Sequence, residues 1–183
     1  MSIASRAVNG TALLALLPIT LAANPATAAS ADASAVQRTA KTWVLRTVKD
    51  PTVVASVFNG STTDGSTVVL FPFHGGNHQK WEMIPEKGGW FQLKDLNAGK
   101  CLTNHLDGVG DHALLTMYTC QNLAGQLWAQ VSIENTGTST LVNNASGKCM
   151  DQGKPASAGG YYQLDQFGCT GTQSELWKIT APP

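Results

Sequence analysis

The chain has 183 residues, of which 13% are charged, and its 12 lysines and arginines are balanced by 12 aspartates and glutamates. Proteins that bind nucleic acid or an anionic membrane normally carry a basic excess, so this balance argues against both partners. The length suits one domain with a hydrophobic core of its own.

The N-terminus has the features of a secretory signal peptide. A weakly positive start precedes the apolar run 11–23, and Ala26 and Ala28 offer the small residues that a signal peptidase reads. The run is shorter than the roughly 20 residues needed to span a bilayer. We therefore expect residues 1–28 to be removed and residues 29–40 to form a flexible lead-in. The mature protein should be secreted and have no membrane span.

From residue 41 onward, short runs rich in β-branched and aromatic residues alternate with glycine, asparagine and aspartate. Such runs, separated by turn residues, are typical of short strands, and no convincing helical pattern interrupts them. The predicted strands include 43–48, 67–71, 90–93, 113–118, 139–143 and 161–167. We therefore predict an all-β protein.

Three tryptophans mark a repeat in this region. Trp81, Trp128 and Trp177 are 47 and 49 residues apart. The residues two positions before them are all polar, namely Gln79, Gln126 and Glu175. A fixed period of this length indicates a repeat architecture.

The cysteines follow the same period. A Gly-Lys-Cys tripeptide ends at Cys101 and again at Cys149, 48 residues later. Cys101 precedes Cys120 by 19 residues, and Cys149 precedes Cys169 by 20. In an exported chain, this spacing indicates that each unit closes on itself through one disulfide, Cys101–Cys120 or Cys149–Cys169.

The first unit has an apolar pair where the other two units have cysteines. Val54 lies 47 residues before Cys101, and Phe73 follows Val54 by 19 residues. We expect Val54 and Phe73 to pack together there without a covalent bond.

We place the repeats at residues 41–86, 87–134 and 135–180, within one domain that spans 41–183. Each repeat has room for about four short strands. A propeller needs at least about four blades, so three units favour a closed barrel with internal threefold symmetry. In such a barrel each unit buries its closing tryptophan against the other two.

Together these features resemble the ricin-B-type β-trefoil, a lectin and carbohydrate-binding module. The resemblance rests on three units of about 47 residues that end in Gln-x-Trp or a Glu variant, with a Gly-Lys-Cys to Cys bridge in two of them. It covers residues 41 to about 180. It implies a β-trefoil of twelve strands with up to three shallow sugar pockets, one in each unit.

In the Gln-x-Trp element we interpret the tryptophan as core and the glutamine as a structural polar group, because an amide both donates and accepts hydrogen bonds. An ionised Glu175 only accepts, so the third unit must satisfy its neighbours differently or hold a protonated acid. We assign Glu175 no catalytic role, because the motif places no second carboxylate to work with it.

The family pattern for a sugar pocket has three parts. These are an aspartate two residues after the first cysteine, an aromatic residue two before the second, and an asparagine three before the closing tryptophan. The third unit has Asp151, Phe167 and, in place of the asparagine, Ser174. A carboxylate accepts from adjacent hydroxyls, and a ring offers a flat face to the apolar side of a sugar. The resemblance therefore implies a carbohydrate site at these three residues.

The other two units match less of this pattern. Their aspartate positions hold the uncharged residues Ser56 and Thr103. Weaker candidates for sugar contacts are Tyr118 in the second unit and Phe71, His74 and Asn77 in the first.

Several other interpretations were weighed. Asp151 near a glycine also suits a turn cap. His74 and His78 flank a turn, where a four-residue spacing does not bring side chains to one face as it does on a helix, so we predict no metal site there. No Ser/His/Asp set, paired carboxylates or metal-ligating group stands out, so we predict no enzymatic activity and no cofactor.

Two functions remain open. The first is a secreted, monomeric, lectin-like protein that binds a glycan or polysaccharide through the third unit. The second is a degenerate trefoil that serves as a protein-interaction or toxin-accessory module without sugar binding. The fold alone does not decide between them.

Overall fold

The computed structural model describes residues 41–156 and 160–183. The predicted signal peptide, residues 1–28, and the predicted lead-in, residues 29–40, lie outside the described residues. The described part contains twelve β-strands and six short 3-10 turns, which confirms the all-β prediction. Within it, no helix has the length and apolar character needed to cross a membrane.

The strands fall into three groups of four. The first group contains β1 Thr42–Thr47, β2 Val53–Val57, β3 Ser66–Pro72 and β4 Trp81–Pro85. The second contains β5 Phe91–Asp95, β6 Cys101–Asn104, β7 Leu115–Tyr118 and β8 Trp128–Ile133. The third contains β9 Thr138–Asn143, β10 Cys149–Pro155, β11 Tyr162–Phe167 and β12 Trp177–Thr180.

The first and last strands of each group close into a six-stranded antiparallel barrel. Its strand order is β1, β4, β5, β8, β9 and β12, and β12 pairs back with β1. The middle strands form the hairpins β2–β3, β6–β7 and β10–β11. Because β3 also pairs with β7 and β11, the three hairpins contact one another. This architecture is the predicted β-trefoil.

The three closing tryptophans lie in the core and repeat one contact. Trp81, Trp128 and Trp177 are completely buried. Each indole N–H donates to a backbone carbonyl on the hairpin of its own unit, over 3.2, 3.1 and 3.1 Å. The accepting carbonyls belong to Ala55, Leu102 and Met150. Since a buried indole N–H needs an acceptor, this bond holds each hairpin against the barrel.

Gln79 and Gln126 brace the loops before their tryptophans in the same way. The Gln79 amide donates to the Pro72 carbonyl over 2.9 Å, and its oxygen accepts the His74 N–H over 2.9 Å. Gln126 makes the equivalent pair of bonds, over 2.9 and 2.7 Å. Both side chains therefore use the donor and the acceptor that an amide provides.

Glu175 can only accept, and its surroundings differ accordingly. Its side chain is almost completely buried. It accepts the N–H groups of Thr170 and Gly171 over 2.9 and 2.7 Å, and the Thr170 hydroxyl over 2.8 Å. The third unit thus satisfies its acid with additional donors, which is the first of the two alternatives that the sequence left open.

Disulfides close the second and third units. They join Cys101 to Cys120 and Cys149 to Cys169, which confirms the predicted pairing. In the chain-entropy model a loop of this length stabilises the folded state by roughly 3 kcal/mol.

The first unit keeps the same register without a disulfide. Val54 is completely buried and pairs with Phe71 across the hairpin. Phe73 is half-buried, and the Arg46 guanidinium lies 4.6 Å from its ring centre. A cation–π contact therefore occupies the place of the second cysteine, and the expected packing of Val54 on Phe73 stays a prediction.

Candidate functional site

Equivalent positions on the three hairpins define three candidate sites. The first hairpin strands carry Ser56, Thr103 and Asp151, and the second strands carry the rings of Phe71, Tyr118 and Phe167. Across the hairpin, Ser56 faces Val69, Thr103 faces Thr116, and Asp151 faces Asp165. Of the three units, the third alone has charged residues at the two facing positions, and both are aspartates.

Asp151 is a buried carboxylate with unused hydrogen-bonding capacity. The residue is only 9% exposed, and its Oδ1 has no hydrogen-bond partner in the described structure. Burial raises the pKa of the Asp151 carboxyl, the Ser174 hydroxyl lowers it by a smaller amount, and the charge of Glu175 raises it further. A buried acceptor without a partner costs free energy, so a ligand that donates a hydrogen bond to it is favoured.

Asp165 completes this site, and the sequence analysis missed it. The residue is 2% exposed, and its Oδ1 also has no partner in the described structure. Burial raises the pKa of the Asp165 carboxyl, a hydrogen bond from His112 opposes this, and the charge of Asp151 raises it again. Gly153 leaves room for the carboxyl group, since a Cβ at that residue would lie 2.7 Å from the carboxyl carbon.

His112 reaches the third unit from the second unit, and it was also missed. Its Nδ1 lies 2.9 Å from Oδ2 of Asp165, and its ring centre lies 4.9 Å from that of Phe167 at an interplanar angle of 33°. Its backbone N–H donates to the Gln166 carbonyl over 2.8 Å. The His112 side chain is nevertheless 46% exposed. The site is therefore covered in part by a residue of the preceding repeat.

The same contact between repeats occurs at all three sites. The contacting residues, each 16 positions before a closing tryptophan, are Gly65, His112 and Tyr161. The ring of Tyr161 lies 5.1 Å from that of Phe71, and a Cβ at Gly65 would lie 3.4 Å from the Tyr118 hydroxyl. Each aromatic platform is thus bordered by the preceding repeat. The common spacing from tryptophan is the sequence signal that would have found this position.

The first unit forms a cleft of about 250 Å³. It is lined by Ser56, Phe58, Asn59, Val69, Phe71, His74 and His78. The rings of His74 and His78 lie 5.0 Å apart, so the prediction that their spacing keeps them apart was wrong. The 3-10 turn Asn77–Gln79 folds His78 back toward His74, while Asn77 itself is exposed. Burial lowers the pKa of His78, and the charge of His74 lowers it further.

The second unit forms a cleft of about 270 Å³ whose lining includes Thr103, Asp107, Tyr118 and Gln121. Tyr118 is half-buried there, so it is not simply an exposed barrel residue. Among residues 41–156 and 160–183, no group of three or more His, Cys, Asp or Glu side chains is arranged to hold a metal ion.

The chain belongs to the ricin-type β-trefoil lectin domain-like family. The family model matches residues 33–118 and, in an overlapping second match, residues 77–160. Comparison with curated proteins gives no significant match.

Solved structures share the fold. The designed threefold-symmetric protein ThreeFoil is 25% identical, with a TM-score of 0.72 over 77% of this chain and 99% of that one. The exo-β-1,3-galactanase 1,3Gal43A of Clostridium thermocellum is 21% identical, with a TM-score of 0.71 over 78% of this chain but only 30% of the enzyme. The ricin B-like lectin of Macrolepiota procera, in complex with lactose, is 17% identical, with a TM-score of 0.64 over 78% of this chain and 96% of the lectin.

Proposed function

We propose that this protein is a secreted, non-catalytic carbohydrate-binding protein whose principal site lies in the third unit. The observation that carries the proposal is Asp151, a buried carboxylate with an unpartnered Oδ1, on the same hairpin as the half-buried ring of Phe167. Family membership supports the same function.

A pyranose suits these groups chemically. Two adjacent hydroxyls donate to the Asp151 carboxylate, and such charge-assisted bonds are stronger than neutral ones. Phe167 offers its face to the apolar C–H side of the ring. Ser174, close enough to Asp151 to lower the pKa of its carboxyl, is a further partner for a sugar hydroxyl. One shallow site of this kind gives weak affinity.

The first and second units contribute less to binding under this proposal. Each has a cleft and an aromatic ring, but Ser56 and Thr103 offer only neutral hydroxyls where the third unit has a carboxylate. The expected difference is that between a charge-assisted and a neutral hydrogen bond, about 1 kcal/mol or more.

The remaining parts of the proposal concern location and assembly. Two disulfides are compatible with an oxidising compartment, and the predicted signal peptide agrees with secretion. We propose that the protein acts as a monomer that presents its glycan site in the extracellular space.

We predict that Asp151→Ala lowers the affinity for glycan roughly ten- to a hundredfold, because it removes charge-assisted hydrogen bonds worth about 1.5–3 kcal/mol. A glycan array on the mature protein identifies the ligand, and calorimetric titration of parent and variant measures the loss. Thermal melting checks that the variant is folded.

Ser56→Ala and Thr103→Ala are the matched controls, at the equivalent positions of the other units. Both should keep affinity close to that of the parent. Equal losses in all three variants would refute a single principal site. If the parent binds no glycan, the protein-interaction module becomes the better interpretation.

A further inference from the structure

We propose that the third-unit site selects a protonated amino sugar, a 2-amino-2-deoxyhexose, over the matching neutral and N-acetylated sugars, and that Asp165 sets this preference. The inference rests on the proposed carbohydrate function and adds the chemical class of the sugar.

The first argument is the pair of facing carboxylates. Asp151 and Asp165 pair directly across β10 and β11, and side chains in such a pair lie on one face with Cβ atoms about 4.5–5.5 Å apart. Each has an unpartnered, buried Oδ1. One carboxylate suffices to accept from sugar hydroxyls, whereas two facing carboxylates disfavour each other's ionisation. A bound cation relieves that repulsion, and an ammonium group offers three donors to the two acids.

The second argument is the side chain that already occupies the site. The imidazole of His112 places a ring nitrogen 2.9 Å from Oδ2 of Asp165 and its ring 4.9 Å from that of Phe167. It therefore combines a nitrogen group on a carboxylate with a flat face near an aromatic ring. A protonated amino sugar combines the same two features, an ammonium group and an apolar ring face, and a cation beside an aromatic ring gains further attraction.

The imidazole can give way to a ligand because its backbone, and not its side chain, is anchored. The His112 N–H donates to the Gln166 carbonyl over 2.8 Å. The preceding residue, Asp111, accepts from Lys148 over 2.6 Å and from the Gly168 N–H over 3.2 Å. The half-exposed side chain is free to turn outward, which opens the face of Phe167 and Oδ2 of Asp165.

The third argument is the contrast with the other two units. The residue pairs at the same positions, Ser56 with Val69 and Thr103 with Thr116, are uncharged. The position of Gly153, which admits the Asp165 carboxyl group, holds the bulkier Phe58 and His105 in those units. Recognition of a cationic sugar is therefore a property of the third unit.

The test is an NMR titration of the mature protein near pH 7 with two matched series that differ only at C2. One series is glucosamine, glucose and N-acetylglucosamine, and the other is galactosamine, galactose and N-acetylgalactosamine. In at least one series the amine should bind roughly tenfold or more tighter than its two counterparts. The amides of β10 and β11 should shift.

Two variants assign the preference. Asp165→Asn, or Asp165→Thr as in the second unit, should abolish the preference for the amine and leave the affinity for the neutral sugar within about twofold. His112→Gly, which copies Gly65, should raise affinity for the amine and retain the preference, because it removes the internal competitor. The opposite signs separate these roles from a general loss of structure.

Three results would overturn the inference: no preference for the amine, a preference that survives in both Asp165 variants, or a lower affinity in His112→Gly. Neutral sugars that bind equally well, and lose affinity in Asp151→Ala, would refute the amino-sugar inference while leaving the proposed function intact. Absence of binding to any sugar would overturn both.

Discussion

Replacing Trp128 with alanine is expected to lower the free energy of unfolding by about 3–5 kcal/mol. The side chain is completely buried, so its removal leaves a large cavity in the core of the barrel. The substitution also removes the indole N–H that donates to the Leu102 carbonyl over 3.1 Å. Urea denaturation of parent and variant measures the difference.

The repeat supplies matched comparisons for this experiment. Trp81→Ala and Trp177→Ala should cost similar amounts, because both residues are completely buried and make the equivalent hydrogen bond. Trp90 is only half-buried, and Trp90→Ala should cost less than half as much. A Trp128→Ala protein as stable as the parent would show that the closing tryptophans do not form the core.

Replacing Asp95 with asparagine is expected to stabilise the protein by about 2–3 kcal/mol near pH 7. Asp95 is completely buried with an unpartnered Oδ1, and burial raises the pKa of its carboxyl to about 6. Asn143 holds the equivalent position in the third unit, six residues before Cys149 as Asp95 is six before Cys101. The Asn143 amide donates to the Gly125 carbonyl over 2.9 Å, a bond that an ionised aspartate cannot make.

The sign of the pH dependence follows from the raised pKa. The folded state holds the Asp95 proton up to about pH 6, whereas the unfolded chain releases it near pH 4. The stability associated with this proton is therefore present below about pH 4 and is lost as the pH rises through 6. A shift of about two units corresponds to roughly 3 kcal/mol.

Urea denaturation at pH 4 and pH 7 tests this prediction. Asp95→Asn should gain more stability at pH 7 than at pH 4, since only the ionised carboxyl is unfavourable. The converse substitution, Asn143→Asp, should destabilise the third unit at pH 7. Equal effects at both pH values would contradict the assignment of the buried proton to Asp95.

The sequence predicted the fold because its strongest signals are periodic. The tryptophan spacing and the matched cysteine separations describe contacts within one repeat, and a repeat preserves such contacts at a constant distance along the chain. The disulfides and the twelve strands follow from that period.

The composition of the site was predicted only in part, because its missing members come from another repeat or from another face. His112 contacts Phe167 across the boundary between the second and third units, and no motif within one repeat records such a contact. Asp165 depends on hairpin register, which places it opposite Asp151. The His74 and His78 rings meet because a 3-10 turn reverses the chain between them, which a spacing rule derived from helices does not describe.

A crystal structure of the mature protein with the glycan that an array identifies tests the central proposal most directly. The proposal predicts electron density for the sugar at the third unit, with two adjacent hydroxyls within hydrogen-bond distance of the Asp151 carboxylate and the ring face against Phe167. Density for the sugar in the clefts beside Phe71 or Tyr118, with the third unit empty, would contradict it.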